Sequence, residues 1–277
     1  SSLKKEDTLR EIEKRFGQDI AEMIEKFSEV KRIYFPFSIE KNEEFFSKGK
    51  IENLRRMFLA ISKDIRIILI ELAARIDRLN KMENIPLEKQ KLYATETLQV
   101  FVPISNRLGL GEIKTKLEDL SFAYIYPEKF KWLKENIKER YEERERYLKN
   151  FIPHLKKIFK QEKIKLLDIN YRAKSYWSTY QKLLKHDMDF EKIHDLVALR
   201  IIVTDIASCY KSLGIIHKYY KPISEEINDY IAKPKINGYK SLHTTVFLKN
   251  PSANLTNSLE ASSGQSKISE IQIIPIK

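Results

Sequence analysis

The sequence is poor in cysteine, glycine and long apolar runs: its 277 residues include 1 Cys and 7 Gly. The single cysteine, Cys209, excludes an internal disulfide and a cysteine-rich zinc site, so we expect a reducing compartment, the cytoplasm. No apolar stretch approaches the roughly 18 residues that a transmembrane helix needs, and we expect no membrane partner. Sparse glycine also excludes collagen-like and repetitive β architectures.

Histidine is missing from the first 153 residues, because all 5 histidines follow residue 150. The N-terminal half therefore cannot supply a His-based metal site or a His general base by itself. The sequence also lacks the loops G-x-x-x-x-G-K and G-x-G-x-x-G, which removes support for the P-loop and dinucleotide-binding classes.

Charge is plentiful and unbalanced: 51 Lys and Arg face 39 Asp and Glu, a net charge of +12. Such an excess attracts polyanions, which include nucleotides, nucleic acid and anionic membrane surfaces. With 42% hydrophobic and 32% charged residues, the composition is that of a globular protein.

Apolar residues follow a helical period through the N-terminal part of the chain. The pattern predicts one amphipathic helix over residues 11–27 and a buried helix or helix pair over 51–82. Residues 130–160 read as a solvated helix, and Pro153 predicts a break or kink in it.

The pattern changes after about residue 164, where short β-branched runs replace helical periodicity. A helix is predicted over 206–220, and strands are predicted over 196–205, 241–248 and 268–276. The sequence therefore predicts an α+β fold, with an all-α domain over residues 1–163 and a mixed α/β domain with a central sheet over 164–277.

Two carboxylates in the second half are associated with strands, one at the mouth of a predicted strand and one within another. Asp195 precedes the run that begins at Leu196, and alternation puts Glu270 and Gln272 on one face of their strand. Carboxylates on neighbouring strands can hold Mg²⁺ on the phosphates of a nucleotide. For either carboxylate alone, an ordinary polar residue at a strand edge is the simpler interpretation.

A second cluster is RAKSYWSTYQK, residues 172–182. If this segment is helical, Lys174, Ser178 and Lys182 share one face and suit a triphosphate, while Arg172 is free to stack on a base. A solvated basic helix face is the alternative interpretation, and a charge stripe alone favours it.

A third cluster is DYIAKPKINGYKSLHTT, residues 229–245. Asn237 and Gly238 predict a tight turn that exposes Tyr239 beside lysines, an arrangement suited to stacking on a purine. Lys235 and His243 flank this turn.

These segments together resemble the synthetase domain of RelA/SpoT-type (p)ppGpp synthetases. The resemblance follows the family's order and spacing through RAKSYWSTYQK, DFEKIHDLVALRIIV, SCYKSLGIIHKYYKPI, DYIAKPKINGYKSLHTTV and EIQI. Upstream, ENLRRMFLAISKDIRIILIELAARI and VFVPISNRLGLGEIKTKLEDLSFAYIYPEKF resemble the helical hydrolase-type half and its bridge.

The resemblance implies an all-α HD-like domain followed by a nucleotidyltransferase-like synthetase domain that is truncated at its C-terminus. The implied reaction moves the β,γ-diphosphate of ATP to the 3′-hydroxyl of GDP or GTP and releases AMP. Ribosome or tRNA contacts are then expected only through C-terminal regions absent from this chain.

The resemblance also implies roles for individual residues. Asp195 binds Mg²⁺, and Glu270 binds it too or orients and deprotonates the attacking hydroxyl. The expected ATP-binding residues are Arg172, Lys174, Ser178, Lys182 and Arg200, with the two arginines around adenine. The expected GDP/GTP-binding residues are Lys235, Asn237, Tyr239, His243 and Gln272, with Tyr239 stacked on guanine.

Two departures from the family pattern bear on activity. Ile274 stands where the family's E-I-Q-I-R-T has Arg, and Ala74 stands where the hydrolase motif L-A-D-R-L-H-N-M has its ligand Asp. The segment Glu226-Ile227-Asn228-Asp229 is also closer to the acidic pattern of synthetase-only members. Hydrolase activity is therefore predicted to be absent.

An alternative function from another class stays open. The same lysines could follow the phosphates of RNA, so the chain could be a non-catalytic nucleotide-sensing or ribosome-associated fragment. Ile274 and the missing C-terminal continuation favour this alternative slightly. Turnover without RNA distinguishes the two functions.

Overall fold

A computed structural model describes residues 2–34, 65–248 and 267–276. Its α-helices are α1 (Ser2–Phe16), α2 (Gln18–Tyr34), α3 (Ile65–Asn80), α4 (Leu87–Glu96), α5 (Val102–Arg107), α6 (Gly111–Ile125), α7 (Pro127–Gln161), α8 (Tyr176–Lys185) and α9 (Ile206–Tyr219). Its strands are β1 (Leu166–Ala173), β2 (Val197–Val203), β3 (Asn228–Asp229), β4 (Leu242–Leu248) and β5 (Lys267–Pro275). The observed architecture confirms the predicted α+β fold. Of the helical segment predicted over 51–82, residues 51–64 lie outside the described residues.

The contacts divide the chain into two compact units, residues 1–104 and residues 105–277. The first unit is helical throughout its described residues. The single helix predicted over 11–27 is two helices, because Gly17 has φ +88 and ends α1. A positive φ of this size suits glycine, which has no Cβ to clash, so the chain can turn here at little cost.

A buried ion cluster organises the first unit. Arg75 is 3% exposed, and its Nη1 lies 2.8 Å from Glu96 Oε2 while its Nε lies 3.7 Å from Glu71 Oε1. The guanidinium also lies 3.5 Å from the centre of the Phe101 ring. One buried cation therefore compensates two buried carboxylates, which would otherwise be costly to keep away from water.

The second unit is built on a five-stranded sheet in the order β1-β2-β5-β4-β3. β2 and β5 are parallel, and the other neighbouring pairs are antiparallel. The sheet therefore contains both parallel and antiparallel pairs, and it is the central sheet that the sequence predicted for this half of the chain. The predicted strands and the helix over 206–220 correspond to β2, β4, β5 and α9.

Alternation along the strands gives the sheet two different faces. The core face carries buried apolar residues such as Leu199, Ile201, Ile271 and Ile273, which pack with apolar residues of α7 and α9. The other face, here called the polar face, carries Arg200, Gln272 and His243, which register brings into one row across β2, β5 and β4. The period of two thus separates folding residues from site residues.

Helix α7 runs for 35 residues with Pro153 inside it, so of the break or kink predicted at that proline the helix shows no break. Pro153 is exposed, and the carbonyl that loses its amide partner can be hydrated instead. The apolar residues of α7 form one stripe, and none of the described helices is long and apolar enough to cross a bilayer.

Helices α6 and α7 belong to the second compact unit, which begins at residue 105. The change from helical to strand patterns near residue 164 marks a change in local structure, but the compact division comes 59 residues before 164 (164 − 105 = 59). The reason is that the apolar stripe of α7 packs on the sheet: Leu148, Phe151, Leu155 and Phe159 share its core.

We expect Arg75→Met to lower the free energy of unfolding by about 3–5 kcal/mol, because it removes a buried cation that pairs with the carboxylates of Glu71 and Glu96. Urea unfolding followed by circular dichroism measures the change. The matched control is Lys81→Met, which removes an exposed pair with Asp77 and is expected to cost less than about 1 kcal/mol. Equal effects of the two substitutions would contradict the role of burial.

Candidate functional site

The site begins at Asp195, where two lysines meet one carboxylate. Asp195 Oδ2 lies 2.5 Å from Lys174 Nζ and 2.8 Å from Lys182 Nζ. Burial by itself raises the pKa of Asp195, but the two ammonium groups outweigh it, so the pKa lies below its ordinary value. Asp195 is therefore ionised and neutralised from one side.

The two lysines reach Asp195 from different elements. Helix α8 begins at Tyr176, because the Ser175 side chain accepts from the amide of Ser178 as an N-cap. Lys174 therefore precedes the helix, and the prediction that it continues a helical stripe with Ser178 and Lys182 is wrong. Convergence on Asp195 brings Lys174 and Lys182 together instead.

Helix α6 supplies two acidic groups at the start of α8. Glu118 Oε2 lies 3.4 Å from the hydroxyls of Ser175 and Ser178, and Asp119 accepts from the amide of Trp177 at 3.0 Å. Burial raises the pKa of Asp119 to about 6, against the hydrogen bonds that lower it. These carboxylates hold the first turn of α8, where unpaired amides attract negative charge.

The two predicted adenine-binding arginines lie on neighbouring strands. Arg172 lies near the end of β1 and donates to Thr115 at 3.1 Å, while Arg200 lies on the polar face of β2. Burial lowers the pKa of Arg200, and the charge of Arg172 adds to the effect. Arg200 Nε is buried with no hydrogen-bond partner in the described part of the chain. The pair therefore has an unused buried donor.

Glu270 lies at the centre of the polar face. Its Oε1 lies 2.8 Å from His243 Nδ1 and accepts from Gln272 Nε2 at 3.0 Å. Burial raises the pKa of Glu270, but these hydrogen bonds outweigh it and the pKa lies below the ordinary value. Asp195 is close enough to act on the same carboxyl by like-charge repulsion, which connects the two predicted catalytic residues.

The His243 ring links Glu270 to Tyr239. Since ionised Glu270 can only accept, Nδ1 of His243 carries a proton and donates to it. Nε2 of a neutral ring is then an acceptor, and the Tyr239 hydroxyl lies 3.1 Å away as its donor. Burial raises the pKa of Tyr239, which keeps the hydroxyl protonated and able to donate.

The predicted turn before Tyr239 is present. Gly238 has φ +73, its amide donates to the Lys235 carbonyl at 2.8 Å, and Asn237 Oδ1 accepts from the Tyr239 amide at 3.1 Å. The Lys235 ammonium lies 4.2 Å from the centre of the Tyr230 ring and 5.4 Å from that of Tyr239. Tyr239 is half-buried and packs against His243, so it is only partly exposed by this turn.

Ile274 lies on the polar face two residues beyond Gln272. It lines a cavity of about 780 Å³ together with Asn237, Gly238 and Tyr239. The position where the family pattern has Arg therefore contributes an apolar wall beside the predicted base-stacking tyrosine. An isoleucine side chain carries no charge and cannot supply a cationic contact at this point.

A divalent cation has suitable ligands at the two carboxylates. Asp195 Oδ1 is buried and has no hydrogen-bond partner among the described residues, and Glu270 uses Oε1 for both of its contacts. A free carboxylate oxygen in a buried place suits Mg²⁺, which completes its shell with phosphate and water oxygens. Within residues 2–34, 65–248 and 267–276 no three His, Cys, Asp or Glu side chains converge as a metal site.

Three acidic residues beside the site were not among the predicted site residues: Glu118, Asp119 and Glu226. Glu226 lies 2.9 Å from the ring of His194, the residue before Asp195. Glu118 carried a signal, since helical spacing puts it on the same face as buried Ser121 and Phe122. An acidic residue on a buried face needs polar partners, which here are Lys114 and the α8 serines.

Two family models match separate parts of the chain. A family model described as an HD domain matches residues 2–111. A second, described as a region found in RelA/SpoT proteins, matches residues 171–276 and contains every residue predicted here for the nucleotide site.

Similar proteins carry two kinds of name. A GTP pyrophosphokinase of Myxococcus xanthus is 36% identical over 87% of this chain and 31% of its own length. A GTP pyrophosphokinase of Escherichia coli strain K12 is 37% identical over 72% of this chain and 27% of its own length. A guanosine-3′,5′-bis(diphosphate) 3′-pyrophosphohydrolase of Aquifex aeolicus is 36% identical over 86% of this chain and 33% of its own length. The chain thus spans about a third of the length of the Myxococcus and Aquifex relatives.

Solved structures of Bacillus subtilis proteins also match part of the chain. Small alarmone synthetase 1 bound to its product pppGpp is 21% identical, with a TM-score of 0.38 over 51% of this chain and 73% of that one. Small alarmone synthetase 2 is 27% identical, with a TM-score of 0.39 over 50% of this chain and 73% of that one. These scores are too low to carry an argument about the site.

We expect Lys174→Met to destabilise the fold most at neutral pH. The lowered pKa means that ionised Asp195 contributes stability above its ordinary pKa of 3.8, and the contribution is lost as the pH falls through the native value. Without Lys174 that contribution shrinks, so wild type and variant should differ most at neutral pH and converge in acid. Urea unfolding at neutral pH and at acid pH measures the difference in the free energy of unfolding. The control is Lys185→Met, which removes an exposed lysine. An equal difference at both pH values would contradict the explanation.

Proposed function

Because the chain belongs to the RelA/SpoT family, we propose that it is an alarmone synthetase that transfers the β,γ-diphosphate of ATP to the 3′-hydroxyl of GDP or GTP. The observation that carries this proposal is the pair of interacting carboxylates, Asp195 and Glu270, with lysines on one side and a histidine and tyrosine on the other. A triphosphate needs the first flank, and an acceptor nucleoside suits the second.

The donor side is assigned to ATP. Lys174 and Lys182 would exchange part of their contact with Asp195 for the phosphates, and Ser178 at the first turn of α8 would donate to a phosphate oxygen. Arg172 and Arg200 would stack on adenine, and the unpartnered Nε of Arg200 leaves a donor for the base or ribose.

Asp195 and Glu270 would hold Mg²⁺, which neutralises charge that spreads over the transferred phosphates. The free Oδ1 of Asp195 supports this assignment, because a buried carboxylate oxygen without a partner is otherwise costly. The lowered pKa of Glu270 makes it a weak general base, so it is better suited to hold the cation and accept a hydrogen bond from the acceptor hydroxyl.

The acceptor side is assigned to a guanine nucleotide. Tyr239 would stack on the base, with Lys235, Asn237, His243 and Gln272 around the ribose and phosphates. The 3′-oxygen would then attack the β-phosphorus of ATP, the bond from that phosphorus to the α,β-bridging oxygen would break, and AMP would leave. The hydroxyl proton would pass to solvent through groups near Glu270.

We also propose that the helical unit has no hydrolase activity. Ala74 lies on α3 at the position where the resemblance implies a metal-binding Asp, and an alanine methyl cannot ligate a metal. Its neighbour Arg75 is occupied by Glu71 and Glu96 in the buried cluster. The protein is proposed to act in the cytoplasm.

The test is incubation with ATP, Mg²⁺ and either GDP or GTP, followed by anion-exchange separation of nucleotides. We expect the wild type to form AMP together with ppGpp or pppGpp. Asp195→Asn and Glu270→Gln should release AMP more slowly, by roughly a hundredfold or more. Asp168→Asn, an exposed carboxylate on β1, is the matched control. If ATP binds but no AMP forms, the result would favour a nucleotide sensor. Release of pyrophosphate from ppGpp in the presence of Mn²⁺ would contradict the proposal that the helical unit has no hydrolase activity.

Tyr239→Ala is expected to weaken GDP binding by roughly 5–150-fold, since a stacked base is worth about 1–3 kcal/mol. ATP binding should change little, because the donor side is built from other elements. Tyr239→Phe keeps the ring and loses only the hydrogen bond to His243, so it should bind GDP nearly as well. Calorimetric titration measures both affinities, and unchanged GDP binding by Tyr239→Ala would remove this residue from the acceptor site.

A further inference from the structure

Helix α7 crosses the start of strands β2 and β5 on the side away from the nucleotide site. There Arg144 lines a cavity of about 460 Å³ with residues such as His194, Ile268 and Ser269. Its Nη1 donates to the carbonyl oxygens of His194 at 3.3 Å and Ile268 at 3.4 Å. Since Nη1 carries two hydrogens, one nitrogen can serve both carbonyls.

These two carbonyls belong to the segments that carry the catalytic carboxylates. His194 immediately precedes Asp195, and Ile268 lies two residues before Glu270 on the same strand. Arg144 therefore bridges the backbone behind one carboxylate to the backbone behind the other. Both bonds are longer than usual, so each contributes little to stability by itself. Their role in this inference is to connect the two backbone segments.

Strand pairing alone does not set this spacing. The registered pairs between β2 and β5 run from Leu199–Ile271 to Val203–Pro275. Asp195 lies four residues before the first pair, since 199 − 195 = 4, and Glu270 is registered against Thr245 of β4 instead. The β2–β5 ladder begins one residue after Glu270 but four residues after Asp195, so the distance from Asp195 to Glu270 also depends on contacts outside this ladder.

The charge of Arg144 has no carboxylate partner in an ion pair within the described residues. Its cavity neighbours differ: Arg140 pairs with Glu191 at 2.5 Å, and Lys267 pairs with Glu143. A half-buried guanidinium that binds only carbonyls is suited to hold backbone segments in place. Burial lowers the pKa of Arg144, and Asp195 is among the carboxylates that act against this shift, which places the two charges within electrostatic reach.

We propose that Arg144 is a positioning residue that sets the spacing between the carboxylates of Asp195 and Glu270, and with it the fit of the divalent cation between them. This inference rests on the proposed function, because it assigns the cation to that carboxylate pair. Arg144 touches neither nucleotide in this assignment. It acts through the two backbone segments, from the core-face side of the sheet.

The first test compares Arg144→Met with the wild type in the diphosphate-transfer assay. Misplacement of reacting groups costs up to about a hundredfold in rate, so we expect kcat to fall roughly 10–100-fold and the Mg²⁺ concentration for half-maximal rate to rise several-fold. KM for ATP and for GDP should stay within about twofold, because the nucleotide contacts remain. Arg144→Lys, which keeps a charged donor of shorter reach, should recover part of kcat.

The matched control is Arg140→Met, one helical turn away on α7 and lining the same cavity. It removes a cation and the ion pair with Glu191 but no hydrogen bond to the carbonyls of His194 and Ile268, so its kcat and Mg²⁺ dependence should equal those of the wild type. Equal losses in Arg140→Met and Arg144→Met would overturn the proposal, since they would report surface charge. An unchanged kcat and Mg²⁺ dependence in Arg144→Met would overturn it as well.

The second test does not need turnover. Mn²⁺ binding with a non-hydrolysable ATP analogue is followed by water-proton relaxation, and we expect several-fold weaker binding in Arg144→Met than in the wild type and Arg140→Met. If the wild type transfers no diphosphate, the proposed function fails, while this titration still tests the spacing role. If Arg144→Met does not fold, Arg144→Lys takes its place in both tests. A folded Arg144→Lys variant whose metal affinity and kcat both equal those of the wild type would then overturn the inference.

Discussion

Neutralisation of Asp195 is the interaction on which the second unit's site depends. A nearly buried carboxylate is costly unless cations compensate it, and here two ammonium groups meet one of its oxygens. Because Lys174 follows β1 and Lys182 lies on α8, this one contact ties β1, α8 and the start of β2 together. The other oxygen, Oδ1, is buried and has no hydrogen-bond partner within the described residues. Asp195 therefore connects these elements through one oxygen and keeps the other available to bind a cation.

The mixed sheet converts alternation along each strand into chemistry. Apolar residues on the core face pack with α7 and α9, and register aligns Arg200, Gln272 and His243 on the polar face. Since β5 is parallel to β2 and antiparallel to β4, it stands between the donor side and the acceptor side. Glu270 on this strand is therefore in contact with His243 and within electrostatic reach of Asp195. The position of one strand explains why the two halves of the site meet.

Local patterns predicted the elements well where a single period dominated. β-branched runs located β2, β4 and β5, and the family resemblance named the residues that the fold brings together, although their roles stay predictions. Failures came where a local rule met a competing effect. Gly17 ends a helix that the apolar stripe continues, Pro153 stays inside α7 because its exposed position lets water replace the lost partner, and Ser175 caps α8 after Lys174.

Residue type and spacing alone predicted the class of fold, a carboxylate on one strand and another just before a second strand, and the basic segments, whereas the departures at Ala74 and Ile274 come from the family resemblance. These properties depend on local period and on side-chain identity, which are readable from the chain itself. Only the tertiary structure decided that both lysines share Asp195, that Tyr239 reaches Glu270 through His243, and that Arg144 bridges the carbonyls of His194 and Ile268. Those contacts join residues far apart in sequence, and their geometry follows from strand order and helix packing, which local periodicity does not contain.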